Sequence, residues 1–386
     1  MANLVGLEIG TSSVRAVEVR TRRGAPTLRR HARVPLPPRA VEAGVVRDDD
    51  AVAHALRELV GTLQPKARDV RLAVGSASVL VRQLELDWMS DEDLRRSLRY
   101  QVADLLPVPI DDANIDHLPL GEDTIVDEDG RTRRITRILL VASAREAVDG
   151  LVRAAQSAKL RVLSADLTAF AALRGLGAAG LGPAPAPQPA VTPVPTLVGA
   201  PGEEGERLPA SAVAAAPLPA RAVLDVGADT VGVTVEGPDG PRSVRVAAGL
   251  GGELLTRMLV EQTGRTRDEA EDLKRRTRLL PVPGAQPVDR DQALAQEAVS
   301  RMLAEVRATL DFQVSHDPRH SPTHMLLTGG GSLLPGLAEH CRAVVGLPVE
   351  VLGDGPHGPL LPSSDLVVPL GLCSPGLPAT TTGGRR

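Results

Sequence analysis

At 386 residues the chain exceeds what one hydrophobic core ordinarily organises, which predicts two domains with a cleft between them. Its 42% hydrophobic and 24% charged composition is that of a globular protein, and 1% aromatic content argues against a base-stacking platform for single-stranded nucleic acid. The net charge of −4, with arginines interleaved among aspartates and glutamates, leaves no continuous phosphate-binding face, so no nucleic-acid partner is expected. Cys341 and Cys373 lack metal-ligand spacing and make at most one bridge, which suits a reducing compartment. The opening MANLVGLEIG has no basic, then apolar, leader pattern, and no segment approaches the ~20 apolar residues of a membrane span. A cytoplasmic location without direct membrane insertion is therefore expected.

In chain order, Leu4 to Arg20 predicts strand, tight turn at Gly10, and strand. Asp48 to Leu63 predicts a helix through Val52, Leu56, Leu59 and Val60, and VRLAVGSASVLVRQLEL predicts two strands about a glycine turn. A helix capped by Ser90, with Asp93 as reciprocal cap, carries Leu94, Leu98, Val102 and Leu105 on one face and stops at PVPIDD. A strand near Ile115, a polar turn at DEDGRT, the strand ITRILLVAS and the helix REAVDGLVRAAQSA complete a small inserted unit. Between Gly180 and Ala220, Pro, Ala and Gly dominate without apolar period, and such a segment cannot offset its ordering entropy. Three strands follow from Ala222, then helices over Glu253 to Gln262, Arg267 to Arg276 and Ala293 to Val314, and a final strand, glycine turn, helix and strand in HMLLTGGGSLLPGLAEHCRAVVGLPVEVL.

Two stretches repeat one design, GLEIGTSSVRAVEV from Gly6 and LDVGADTVGVTV from Leu224. A glycine turn at the end of a buried strand exposes backbone N–H groups, and neighbouring hydroxyls add donors, which suits a phosphate. Gly10 with Thr11, Ser12 and Ser13, and Gly227 with Thr230, supply this twice. Each turn is preceded by an acid, Glu8 or Asp225, which at a strand end needs a cation, a water network or a basic partner. In a two-lobed nucleotide site that cation would be a hydrated Mg²⁺ bridging phosphates; a turn-initiating acid bonded to nearby backbone is the other reading. TGGGSLLPGL, Thr328 to Leu337, places three glycines before a helix, where backbone approaches a bulky ligand and the helix start after Ser332 offers amides. The motif G-x-x-x-x-G-K-[ST] is absent, which excludes a P-loop NTPase. No Ser-His-Asp or Cys-His arrangement is legible.

The order of these motifs, with GLGGELLTRML, EAEDLKRR and LLTGGGSLLPGL, resembles the actin-like ATPase superfamily of FtsA, actin and Hsp70. Within it the chain is most similar to the PilM family of type IV pilus assembly, whose inserted 1C subdomain LDWMSDEDLRRSLRYQVADLLPVPIDDANID resembles. The resemblance spans nearly the whole chain except Gly180 to Ala220 and the tail from Gly376. It implies an α/β, ribonuclease H-like, two-lobed fold. Residues 1–85 and 160–180 would form subdomain 1A and 86–159 subdomain 1C. Residues 181–220 would be a disordered insertion, 221–375 a second lobe with subdomain 2B at about 256–295, and 376–386 a flexible tail.

The same resemblance implies ATP and Mg²⁺ as cofactors. Gly10, Thr11, Ser12 and Ser13 would form the first phosphate loop, and Gly227, Ala228, Asp229 and Thr230 the second. Gly251 and Gly252 would line the cleft near the phosphates, Glu271 and Lys274 would reach the nucleoside, and Gly329, Gly330, Gly331 and Ser332 would contact adenosine. For Glu271 and Lys274, three apart on one helical face, an exposed ion pair is the other reading. Glu8 and Asp225 would serve the metal and the chemistry. The family usually carries Asp where this chain has Glu8, and one added methylene moves the carboxylate by on the order of 1.5 Å. Metal geometry tolerates that poorly, so nucleotide binding is expected to survive better than hydrolysis.

The partner implied is the N-terminal segment of a PilN-like inner-membrane protein docked on subdomains 1A and 1C. Through it the chain would couple motor ATPases to the pilus platform, peripheral to the inner face of the membrane; self-association stays open. An FtsA-like division protein is the rival, but it needs an amphipathic C-terminal anchor that CSPGLPATTTGGRR does not offer. A sugar or acetate kinase of the superfamily would need a base and a substrate pocket, for which no dedicated polar cluster is legible.

Overall fold

A computed structural model of the chain describes residues 2–22, 25–106, 108–126, 130–182, 218–238, 240–280, 286–352 and 360–374. Residues 183–217 of the Pro/Ala/Gly-rich segment, part of the DEDGRT turn and the tail from Gly376 lie outside the described residues. Alternation of apolar residues builds β1 (Ala2–Ile9), whose Val5, Leu7 and Ile9 are buried, and a tight turn returns it as β2 (Ser13–Arg22). The chain turns again into β3 (Ala25–Pro35) and makes a small ribbon of β4 (Val41–Glu42) and β5 (Val45–Val46). In α1 (Asp49–Leu63) the Asp48 carboxylate accepts from the Ala51 N–H at 2.9 Å, and Val52, Leu56, Leu59 and Leu63 bury one face. Strand β6 (Asp69–Val74) follows.

Next comes β7 (Leu80–Asp87), then α2 (Asp91–Gln101), where Ser90 Oγ accepts from the Asp93 N–H at 3.2 Å and donates to its carboxylate at 2.7 Å. Strands β8 (Ala113–Val126) and β9 (Thr132–Ala144) pair antiparallel, and Leu94, Leu98 and Val102 pack on Ile138 and Leu140 of β9. Helix α3 (Arg145–Ser157) places Leu151, Ala154 and Ala155 in the same core as Leu56 and Leu72. By packing it therefore sits with the first lobe, whereas the sequence groups it with the inserted unit. Strand β10 (Arg161–Leu167) and α4 (Thr168–Ala178) complete this half.

The second half repeats the plan with β11 (Ala220–Val226), β12 (Thr230–Gly237) and β13 (Gly240–Ala248), then α5 (Gly252–Thr263), α6 (Arg267–Arg276) and α7 (Arg290–His316). Strand β14 (Pro322–Thr328), α8 (Leu337–Val345), β15 (Val349–Val351) and α9 (Val367–Cys373) close it. One sheet has the order β10-β6-β1-β2-β3, and β15-β14-β11-β12-β13 reproduces it in the other, each with two antiparallel and two parallel pairings. Two β-meanders, each followed by parallel strands, make the lobes of an actin-like fold.

Helices α4 and α9 form a layer shared by both lobes. Leu173, Leu176, Leu366 and Leu370 share one core with Val17 and Val19 of the first sheet and Val223 and Leu326 of the second. The helices cross closely enough that a Cβ on Gly175 would collide with the Val367 carbonyl and one on Gly371 with that of Ala171. The inserted strands extend the second sheet as β13-β7-β9-β8. The junction is narrow: Val244 pairs with Val81, and Gln83 Nε2 donates to the Arg242 carbonyl at 3.1 Å. Strands β6 and β7, adjacent in sequence, thus belong to different sheets.

Candidate functional site

The two repeated hairpins close identically. The Gly10 N–H donates to the Ser13 carbonyl at 3.0 Å and the Gly227 N–H to the Thr230 carbonyl at 2.9 Å. A Cβ on Gly227 would stand 2.8 Å from that carbonyl oxygen, so the turn itself requires glycine. Both open onto one interlobe cavity of about 940 Å³. Gly10, Thr11 and Ser12 line it from one lobe; Gly227, Ala228, Thr230, Gly251, Gly252, Glu271, Lys274, Gly329, Gly330 and Gly331 line it from the other. Glu8 and Asp225 lie beside the turns.

Three residues expected at the ligand do not line this cavity. Ser13 is fully buried in β2, and its Oγ has no hydrogen-bond partner. The Ser332 hydroxyl donates to the Gly329 carbonyl at 2.7 Å, because residues 330–333 form a 3-10 turn and α8 starts only at Leu337. The Asp229 carboxylate accepts from the Ala43 N–H of the opposite lobe at 2.7 Å and from the Gly249 N–H at 3.2 Å. Asp229 is thus a latch between lobes. Its partner turn needs left-handed backbone at Ala43 and Gly44, with φ of 51° and 76°.

Amides at the start of α5 are also committed. The N–H groups of Gly251, Gly252 and Glu253 donate to the carbonyls of Asp229, Gly227 and Ala228 at 3.1, 3.0 and 2.6 Å. They hold the second hairpin rigid. Gly331 and Gly329 serve packing: a Cβ on Gly329 would lie 2.5 Å from the Val226 carbonyl and from Asp225 Oδ1, and one on Gly331 would meet Val226 Cγ1. Gly330 alone of the three faces open space. On α6, Lys274 Nζ donates to Glu271 Oε1 at 2.8 Å, Thr256 Oγ1 at 2.9 Å and the Gly252 carbonyl at 3.3 Å. Burial pushes Glu271 up, but the bonds from Lys274 and Thr256 outweigh it and hold the carboxyl below its ordinary value.

The charged centre contains residues that the sequence reading passed over. Register across the first hairpin sets Arg15 opposite Glu8, with Nη2 at 3.6 Å from Glu8 Oε1. Arg15 Nη1 donates to the Asp365 carbonyl at 3.1 Å, and the Asp365 carboxylate pairs with Arg33 at 3.5 Å. Glu8 Oε2 is buried without a hydrogen-bond partner. Burial pushes Glu8 above its ordinary value; Arg15 draws it down, and Asp225 adds to the rise. Asp225 is raised by burial and lowered by Arg15. Spacing identifies Arg15, since a closed turn at Gly10 fixes its register; Asp365, 350 residues away, carries no such signal.

Two partly buried carboxylates, one with an orphaned buried oxygen, fit a cation chemically. No group of three or more His, Cys, Asp or Glu side chains among the described residues would hold a metal, so most of its ligands would be water and phosphate oxygens. This is the donor set Mg²⁺ tolerates.

The family model described as "Type IV pilus assembly protein PilM" matches residues 6–179 and 205–355. Among solved structures, the "PilM-PilN type IV pilus biogenesis complex" superposes with a TM-score of 0.72 at 23% identity, covering 96% of this chain and 98% of that one. Ethanolamine utilization protein EutJ from Carboxydothermus hydrogenoformans gives 0.52 at 14% identity, covering 97% of this chain and 90% of that one. These likenesses agree with the actin-like architecture. No helix among the described residues is long and apolar enough to cross a membrane. With the family model matched across both lobes, the chain belongs to the type IV pilus assembly protein PilM family.

Proposed function

We propose that this protein binds ATP with Mg²⁺ between its lobes and uses the bound state to control docking of the N-terminal segment of a PilN-like inner-membrane protein. The observation that carries the reading is the pair of identically closed glycine hairpins facing one cavity, each with a carboxylate at its strand end. Backbone N–H groups within the two turns, at Thr11 and Ser12 and at Ala228 and Asp229, would hold phosphate oxygens from two sides, since those of Gly10 and Gly227 close the turns themselves. Glu271, oriented by Lys274 and Thr256, has a second carboxylate oxygen to accept from a nucleoside hydroxyl. When bound, Mg²⁺ would neutralise phosphate charge, and Glu8 and Asp225 would hold its hydration waters. Glu8, longer than the Asp expected there, makes turnover slow.

Coupling to a partner is supported by two features. The Asp229 latch ties the second hairpin to the first lobe, and the β7–β13 junction ties the inserted unit to the second. Lobe closure would load both. The partner is supported by the solved relative, described as a PilM-PilN complex. Localisation at the inner face of the cytoplasmic membrane, through that partner, and linkage to the pilus platform and motors follow from the same reading.

Calorimetric titration of ATP with Mg²⁺ onto wild type and Gly10→Val tests the site. A Cβ at Gly10 already stands 3.1 Å from Arg15 Nη2 and 3.2 Å from the Ser13 carbonyl, so valine should abolish binding while circular dichroism stays native. Capture of a PilN-like N-terminal peptide, with and without ATP, tests the coupling. Absence of ATP binding to wild type overturns the reading.

A further inference from the structure

The two hairpins are near copies, and they differ in the residue that stands opposite the acid. Residue for residue, Glu8 corresponds to Asp225, Gly10 to Gly227 and Val14 to Val231. Opposite Glu8 stands Arg15; opposite Asp225 stands Gly232. Nothing in the hairpin backbone therefore demands a side chain there. Yet the first copy places a guanidinium, 16% exposed, against a carboxylate that is 13% exposed.

The location of that guanidinium decides its role. Nη2 would lie 3.1 Å from a Cβ on Gly10, so the group rests against the turn that lines the cleft. It is held there by the Asp365 carbonyl on Nη1, while Nε is buried with no hydrogen-bond partner. At 3.6 Å the Glu8 contact leaves Nη2 outside close hydrogen-bond range. A group with unspent donors, resting against Glu8 and the first glycine turn and near enough to Asp225 to act on its charge, is a cation in the place where a metal would compensate charge. Unlike a metal, it cannot dissociate or be chelated.

We propose that Arg15 is a resident cation of the Glu8/Asp225 centre and that it lets the protein hold nucleotide without a divalent metal. The inference rests on the nucleotide-site reading above. Charge-assisted contacts from one guanidinium to a phosphate correspond to about 30-fold in affinity. Wild type should therefore lose no more than about 3-fold when Mg²⁺ is replaced by EDTA, a small part of that factor. Arg15→Gly, which installs the residue of the second hairpin, should bind about 30-fold more weakly in EDTA and recover most of that with Mg²⁺.

The experiment measures dissociation constants of a fluorescently labelled ATP analogue by polarisation, with Mg²⁺ and with EDTA. The proteins are the full-length wild type, Arg15→Gly, Arg15→Lys and Arg15→Gln. Arg15→Lys keeps the charge and should remain tolerant of EDTA. Arg15→Gln keeps the length without the charge and should behave as Arg15→Gly, which covers the case in which glycine prevents folding. Wild type that binds with Mg²⁺ but loses the analogue in EDTA overturns the inference and leaves the site reading standing. Arg15→Gln with wild-type tolerance of EDTA also overturns it. No binding by wild type in either buffer overturns the site reading itself.

Discussion

Substituting Asp229 by Ala isolates the contact that holds the lobes together at the cleft. The substitution removes two acceptor interactions, from Ala43 N–H at 2.7 Å and from Gly249 N–H at 3.2 Å. A hydrogen bond onto a carboxylate contributes ~1.5–3 kcal/mol when desolvated. Only the Ala43 bond crosses between the lobes; residue 43 is partly buried, so water replaces part of it, and that bond should be worth about 2 kcal/mol to closure. If that energy acts on cleft opening, the opening equilibrium rises about 30-fold. Amide hydrogen exchange followed by mass spectrometry reads this directly. Peptides covering residues 41–46 should exchange about 30-fold faster in Asp229→Ala, while those of β11 and β14 stay protected. Asp229→Asn, which keeps one acceptor oxygen, should fall between. Unchanged exchange at 41–46 would refute the latch, and equal acceleration in every element would show general destabilisation instead.

Three further outcomes are expected. Burial holds the folded-state Glu8 and Asp225 carboxyls above their ordinary values, so the native protein without ligand keeps protons that the unfolded chain releases. Stability of the ligand-free protein should therefore fall as pH rises from the ordinary carboxylate range through the raised folded values; urea midpoints across pH should show this slope in wild type and a shallower one in Glu8→Gln. Gly330→Ala, whose Cβ meets nothing within 4 Å, should leave the urea midpoint unchanged. Gly331→Ala, whose Cβ meets Val226, should cost about 1–3 kcal/mol in the same assay.

Much of the local structure was legible because its causes lie within a few residues. The capped helix after Ser90 came from a side-chain and backbone exchange spanning three positions. The hairpins at Gly10 and Gly227 came from strand alternation and one glycine. Helix α9 was missed: Val367 to Cys373 are buried throughout, so no apolar stripe marks it. Helix α4, between the same two sheets, was missed for the same reason. Strand β3 was passed over because its arginines and His31 face outward along an edge.

Within the site, the glycine turns and the two acids were readable as chemistry, but their obligations to the rest of the protein were not. Asp229 looks like a ligand residue until Ala43, 186 positions away, is seen to donate to it. Gly329 and Gly331 look like room for a ligand until β11 is found lying against them.

The amino-acid sequence by itself determined the repeated strand–turn–strand units, most helix limits and the family, since hydrogen-bond patterns, caps and periodicity act over one or two turns of chain. Only the tertiary structure decided which sheet β7 joins, that α4 and α9 knit the lobes together, and that Arg15 and Asp365 meet Glu8 at the cleft. Those outcomes depend on which buried surfaces find each other across hundreds of residues, and an apolar strand carries the same alternation whichever edge it pairs with.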